Sequence, residues 1–229
     1  MALSPGFFRF YALTGVLYAF EEKLCLHPTH ISGSSAGAMV GGFYAAGMDP
    51  SAMIKSLFSI QRSDIWDMGG ICGLLQGQLF HDLLINILPV QKIEDCRIPY
   101  GATAYNLLRF RTSLLQEGCI ATAIRASCTF PGLFQPVMID NLPHIDGGVW
   151  DDSGLMALPG VPASSGLIVN VVCGEGRRGS SALPAKYEGA RVSKTHNASL
   201  CVSDGVIPRP IREGFQRLVC VCSRPALPS

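Results

Sequence analysis

Thr29-His30-Ile31-Ser32-Gly33-Ser34-Ser35-Ala36-Gly37-Ala38-Met39-Val40-Gly41-Gly42 decides how this chain is read. A short extended run reaches Gly33, a G-x-S-x-G pentapeptide turns the chain, and an Ala/Gly-rich segment continues as a helix. Such a strand–turn–helix corner pushes the middle serine, Ser35, into a strained and exposed position at the edge of a sheet. Glycines at 33 and 37 suit it, because a Cβ there would collide with the backbone crossing the turn. The helix that follows aims its free N–H groups and positive dipole end at any negative charge forming beside Ser35. Ser35 is therefore a candidate nucleophile, and it needs a base and an oxyanion hole from elsewhere in the chain.

The bounds around this corner are broad. At 229 residues and 24.5 kDa the chain suits one α/β domain with a sizeable core, or a domain with an appendage. Hydrophobic residues make up 48% and charged ones 15%, against a usual charged share of about 25%. The surface is thus expected to meet apolar material, or the core to be large. A net charge of +1 gives no electrostatic basis for nucleic-acid binding. No apolar run approaches the roughly 18 residues of a membrane span. Residues 10–20 follow Arg9 and loosely mimic a signal peptide, but they end in Glu-Glu-Lys without a small-x-small cleavage site and read as a helix. The cysteines number nine. Cys25, Cys72, Cys96, Cys119, Cys128 and Cys173 lie in hydrophobic segments, which suggests reduced, buried thiols and a cytoplasmic protein. Cys220 and Cys222, with Cys201 and His196 upstream, lack the C-x-x-C spacing of a zinc site.

Taken in order, the chain predicts a stub of strand before Pro5-Gly6 and a helix over 10–24 with Leu13, Val16, Leu17 and Phe20 on one face. A strand over 29–32 feeds the turn at Ser35, and the small-residue helix follows over 36–46. Asp49-Pro50-Ser51 starts another helix over 51–61. Residues 62–78 have little periodicity and read as a connecting loop or as a mobile apolar flap carrying Trp66 and Met68. A helix with one apolar face runs from Leu79 to Leu88. Strands are predicted over 98–105 and 111–115, then a helix over 119–128. A hairpin spans Val137 to Ile145 with its turn at Asp140-Asn141. Leu167 to Val172 is apolar enough for a central buried strand. The catalytic-type domain is read as 1–175. Residues 176–229 form a weakly patterned extension, open to reading as a loose tail, an incomplete domain end or an altered reading frame.

A serine hydroxyl needs a neighbour to take its proton. A histidine could serve, but His81 falls inside an amphipathic helix, His144 shares a strand face with Asp146, and His196 sits in the weakly patterned tail. None has the acid-then-histidine setting of a Ser-His-Asp triad. Asp146 is the other candidate. It ends a hairpin strand and is followed at once by Gly147 and Gly148, which let another backbone approach closely.

Here the chain resembles the patatin-like phospholipases. Gly33-Ser34-Ser35-Ala36-Gly37 matches their G-x-S-x-G, and Asp146-Gly147-Gly148 their D-G-G. Ala126-Ser127-Cys128-Thr129-Phe130-Pro131, continuing to Phe134-Gln135-Pro136, matches the stretch between them. Ser4-Pro5-Gly6-Phe7-Phe8-Arg9 stands where their glycine-rich oxyanion segment is expected, followed by Gly15-Val16-Leu17. The resemblance implies a three-layer α/β/α sandwich and a Ser-Asp pair with Ser35 as nucleophile and Asp146 as base. It also implies an oxyanion hole from Gly6, Phe7 and Ala36, with Arg9 as the basic residue of that loop. No metal or cofactor is implied. The substrate would be a fatty-acyl ester of a phospholipid or other glycerolipid, at a membrane or lipid-droplet surface, with the protein cytoplasmic and peripheral. Pro5, Phe7 and Phe10 replace glycines of the family's loop, and proline has no N–H to donate. Losing one oxyanion donor costs roughly 10²–10³ in rate, so a catalytically weak lipid- or partner-binding protein of the same fold is the alternative.

Overall fold

The computed structural model describes residues 1–6, 10–158, 170–171, 191–195 and 198–202. The helix predicted over 10–24 forms as α1 (Phe10–Leu24), after a two-residue strand β1 (Ala2–Leu3). Leu13, Val16, Leu17 and Phe20 are buried, the i, i+3, i+4, i+7 spacing of one helical face. β2 (Ile31–Ser34) begins two residues later than the sequence suggests and runs directly into α2 (Ala36–Ala45). α3 (Pro50–Ser59) starts where Asp49 caps it, its carboxylate accepting from the N–H groups of Ser51 and Ala52, with Pro50 in the first turn.

The chain continues through α4 (Gln78–Ile87), β3 (Tyr100–Asn106), β4 (Arg111–Leu115) and α5 (Ile120–Ser127). The predicted hairpin is β5 (Val137–Ile139) and β6 (Leu142–Asp146), turned by Asp140 and Asn141 at φ 50° and 60°. Two such left-handed residues make the tight turn whose twist matches the flanking strands. β7 (Asn170–Val171) completes a seven-stranded mixed sheet, ordered β5-β6-β3-β2-β1-β7 with β4 paired to β3. β8 (Arg191–Thr195) and β9 (Ala198–Val202) form a separate antiparallel pair.

α2 packs on β1, β2 and β3 and is flanked by α1, α3 and α5. Its poverty in side chains has a direct cause. A Cβ at Gly42 would lie 2.7 Å from Ile124 Cδ1, and one at Gly41 would already touch Ile31 and Tyr100. Leu3, Ile31, Val40, Phe43, Tyr100, Ala102 and Ile124 join the α1 face in the main core. Across the sheet, Ser32 Oγ donates to the Gly154 carbonyl at 2.6 Å, and a Cβ at Gly101 would strike the Ala157 carbonyl. Residues 151–158 therefore cover that face behind β2 and β3. Tyr100 is fully buried and donates its hydroxyl to the Ala38 carbonyl at 2.8 Å. Tyr100→Phe is expected to lower stability by about 1 kcal/mol, read as a shifted denaturant midpoint with an unchanged slope.

Two expectations change, and one of two open readings is chosen. Cys25, Cys72 and Cys119 are exposed, not buried. Cys25 follows α1 in a left-handed conformation at φ 49°, Cys72 lies in the 62–78 connection and Cys119 caps α5; helix ends and loops face solvent whatever their neighbours' hydropathy. Residues 62–78 are a pinned connection rather than a free flap. Leu75 N donates to Leu133 O and Gln135 N to Leu75 O, while Ile71 N donates to the Gln135 side chain. Of Leu167 to Val172 only β7 is described, and it stands at the end of the described sheet order, beside β1. The boundary near 175 and the side chains of Cys173, His196, Cys201, Cys220 and Cys222 lie outside the described residues.

Candidate active site

β3 organises the site. Its residues 100–103 pair in parallel with β2, and its residues 104–106 pair antiparallel with β6. β4 occupies the opposite edge along 102–106. β2 and β6 therefore share one edge of β3 and run toward each other. Their C-terminal ends meet where Ser34 lies opposite Thr103 and Asp146 opposite Ala104. Ser34 and Asp146 thus stand on adjacent rungs, and Ser35, 111 residues before Asp146, donates a hydrogen bond from Oγ to Asp146 Oδ2 at 2.7 Å.

Ser35 has φ 52° and ψ −120°, a backbone region that residues other than glycine rarely occupy. The glycines on either side make the corner possible. A Cβ at Gly33 would run into the Gly37 carbonyl, and one at Gly37 into the carbonyl of Leu3. Ser35 is the residue before α2, and no side chain caps that helix end. The N–H groups of the first turn, beginning with Ala36, have no partners within the helix.

Asp146 is 6% exposed. Burial raises its carboxyl above the ordinary carboxylate pKa, against the hydrogen bonds from Ser35 and the Gly148 N–H that favour the charged form. The Gly148 N–H donates to Oδ1 at 2.7 Å, so the two carboxylate oxygens have separate partners. The Asp146 N–H donates to the Thr129 carbonyl at 2.8 Å. Gly147 sits where a Cβ would meet the Thr103 carbonyl, and a Cβ at Gly148 would lie 2.8 Å from that of Pro5. The Pro5-Gly6 segment is thus packed directly on the turn that carries the aspartate. Phe7 and Arg9, the other expected members of the oxyanion loop, lie outside the described residues.

Two of the three candidate histidines, His144 and His81, are described, and both are engaged elsewhere. His144 is buried in β6 with Nδ1 against the Leu142 carbonyl at 2.8 Å and Nε2 against Ser113 Oγ and Asn106 Nδ2. Burial lowers its pKa, which favours the neutral ring. His81 Nε2 meets Thr122 Oγ1 of α5 at 3.1 Å. Neither ring contacts Ser35.

Two side chains of the Ala126–Pro136 stretch, to which the sequence assigns no role, also reach the corner. Ser127 Oγ accepts from the Ser35 N–H at 2.8 Å, and Cys128 Sγ donates to the Ser35 carbonyl at 3.1 Å.

Fold and site together define an α/β protein with a serine elbow partnered by a buried aspartate. The patatin-like phospholipase family model matches residues 1–159, and the chain belongs to that family. It is similar to an uncharacterized NTE family protein of Mycobacterium tuberculosis, 34% identical over 189 residues, covering 81% of this chain and 51% of that protein. The lysophospholipase NTE1 of Mycosarcoma maydis is 26% identical over 178 residues, covering 75% of this chain and 9% of its own length. The chain thus spans about half the length of the mycobacterial relatives it matches. Among solved structures, VipD from Legionella pneumophila superposes with a TM-score of 0.56 at 16% identity, covering 66% of this chain and 46% of that one. That likeness concerns the fold.

Proposed function

We propose that the chain is a serine lipid acyl hydrolase working through Ser35 and Asp146. The observation that carries this reading is the 2.7 Å hydrogen bond from Ser35 Oγ to Asp146 Oδ2 at a strained corner beside the α2 N-terminus. Asp146 takes the hydroxyl proton as Ser35 Oγ attacks the ester carbonyl. The resulting oxyanion is held by the Ala36 N–H together with donors from the Gly6 and Phe7 loop, with Arg9 adding positive charge. Collapse expels the alcohol, which recovers its proton from Asp146, and leaves a fatty-acyl ester on Ser35. Water, deprotonated by the same carboxylate, then releases the fatty acid. A raised pKa suits this work, since a base titrating closer to working pH binds the transferred proton more firmly.

The substrate class is a fatty-acyl ester of a phospholipid or other glycerolipid, and the lysophospholipase among the relatives supports a single-chain phospholipid. The 66–75 connection exposes Met68, Ile71 and Leu74, Ile71 at 92%, apolar surface in keeping with lipid supplied at a membrane or droplet surface. Among the described residues no helix is long and apolar enough to cross a membrane.

A fluorophosphonate probe tests the chemistry. The expected result is one adduct per chain, mapped by mass spectrometry to Ser35 and still formed by His144→Ala, which loses about 1–3 kcal/mol of stability through its stranded partners. An adduct at another residue, a folded protein that does not react, or dependence on His144 would each defeat the proposal. With the adduct established, release of fatty acid from lysophosphatidylcholine vesicles tests the substrate class.

A further inference from the structure

Residues 127–129 touch both members of the Ser35–Asp146 pair. Ser127, the last residue of α5, accepts from the Ser35 N–H at 2.8 Å. Cys128, the next residue, donates its thiol to the Ser35 carbonyl at 3.1 Å. The carbonyl of Thr129 accepts from the Asp146 N–H at 2.8 Å. One rigid helix end thus grips the peptide groups before and after the nucleophile and fixes the strand that delivers its partner. Thr129 adds to the rigidity, its hydroxyl donating to the Arg125 carbonyl at 2.8 Å.

The grip matters because of the conformation it holds. A non-glycine residue at φ 52° and ψ −120° is strained and persists only where its surroundings enforce it. On its α2 side the Ser35 carbonyl also accepts from Met39 N at 3.1 Å, which continues the helix. The Ser35 N–H has Ser127. Relaxing this corner rotates Oγ away from Asp146 Oδ2, and small misplacements of a reacting atom carry large rate penalties.

We propose that Ser127 and Cys128 are positioning residues. Their side chains hold Ser35 in the attacking conformation and set the rate of its acylation without touching substrate. The inference rests on the proposal that Ser35 is the nucleophile. It also separates the roles of the two side chains: Ser127 acts as an acceptor, Cys128 as a donor.

The test compares the 229-residue chain with its Ser127→Ala, Cys128→Ala and Cys128→Ser variants. p-Nitrophenyl butyrate supplies kcat and KM, and a fluorophosphonate supplies the acylation rate, each well below the measured unfolding midpoint. Ser127→Ala is expected to lower kcat and the fluorophosphonate rate roughly 10–100-fold with KM within about twofold, because the half-buried Ser35 N–H loses the partner that holds the corner. Cys128→Ala should lower both about fivefold. Cys128→Ser restores a hydroxyl donor and should recover most of that loss. A role confined to folding would lower the unfolding midpoint while sparing kcat, and that result overturns the inference. So does a Cys128→Ser variant no better than Cys128→Ala, which stands even if Ser127→Ala fails to fold. A folded wild type that neither hydrolyses the ester nor reacts with the probe defeats the nucleophile assignment itself, a different result from an active wild type with indifferent variants.

Discussion

Asp146→Asn is expected to lower kcat for ester hydrolysis by about 10⁴-fold while leaving the protein at least as stable as the wild type at neutral pH. The two halves of this result have one cause. Asp146 is buried, and desolvation raises its pKa above the unfolded value. The sign follows from proton linkage. A group whose folded pKa is raised contributes stability that is fully present below the unfolded pKa and is lost as pH rises through the folded pKa. At neutral pH the ionised carboxylate is therefore a burden on the fold, and asparagine removes it. The amide keeps the local bonding, since its oxygen can accept from Gly148 N and its NH₂ can donate to Ser35 Oγ, but it takes no proton. Ser35→Ala should lose more, roughly 10⁶-fold, and the double variant should be no worse than Ser35→Ala alone, because residues that act as a unit are not additive. For the wild type, kcat/KM should fall toward acid through a limb placed above the ordinary carboxylate range. Thermal melts of wild type and Asp146→Asn across the same pH range supply the check. Their difference should shrink as Asp146 protonates; a variant that melts well below the wild type at neutral pH, or keeps its kcat, contradicts the assignment.

The corner at Ser35 is legible in the sequence because its constraints are local. Gly33, Gly37 and the small residues of α2 record close backbone contacts in the sequence itself. Helix α1 is legible for the same reason, its buried face being periodic. The partner is not legible from residues alone. Asp146 reaches Ser35 only because β2 and β6 share one edge of β3, a matter of strand register across more than a hundred residues; the residues made it one candidate beside the histidines, and the resemblance to a known family chose it. The grip of Ser127 and Cys128 on Ser35 lies inside a recognisable motif but has no visible role there, since nothing in A-S-C-T says which peptide group each side chain meets. α4 shows the same limit. Its first N–H groups, from Gly77, Gln78 and Leu79, are capped by the carboxylate of Asp67, ten or more residues upstream. The exposed cysteines escape the sequence for a plainer reason. Neighbouring hydropathy reports the average burial of a segment, and helix ends such as Cys25 and Cys119 depart from it.

Gly37→Ala is expected to destabilise the fold by at least about 3 kcal/mol, the tail of single-substitution effects, even though alanine is the better helix former. In an exposed helix the exchange gains up to about 1 kcal/mol. At position 37 the added Cβ would land on the Leu3 carbonyl and lie 2.8 Å from the Ser4 carbonyl oxygen. Neither is the end of a flexible side chain. Leu3 is held between β2 and β7, paired with Gly33 on one side and Val171 on the other, so β1 cannot retreat without breaking the sheet. α2 must lift instead, exposing core around Val40 and Phe43 and moving the Ser35 corner that opens it. For a chain of this size the melting temperature should fall by roughly 6–12 °C, with activity lost at temperatures where the variant is still folded. Gly15→Ala is the control. Gly15 lies inside α1, and a Cβ added there would meet nothing within 4 Å, so the same substitution should raise stability by about 0.5–1 kcal/mol. Both glycines are helical, Gly37 in the first turn of α2 and Gly15 inside α1, and the large contrast between them is what stands above the new methyl group. If both shift the melt in the same direction, helix propensity rather than the contact with β1 governs position 37, and the close approach that places Ser35 at the sheet edge is not what the glycine is there to permit.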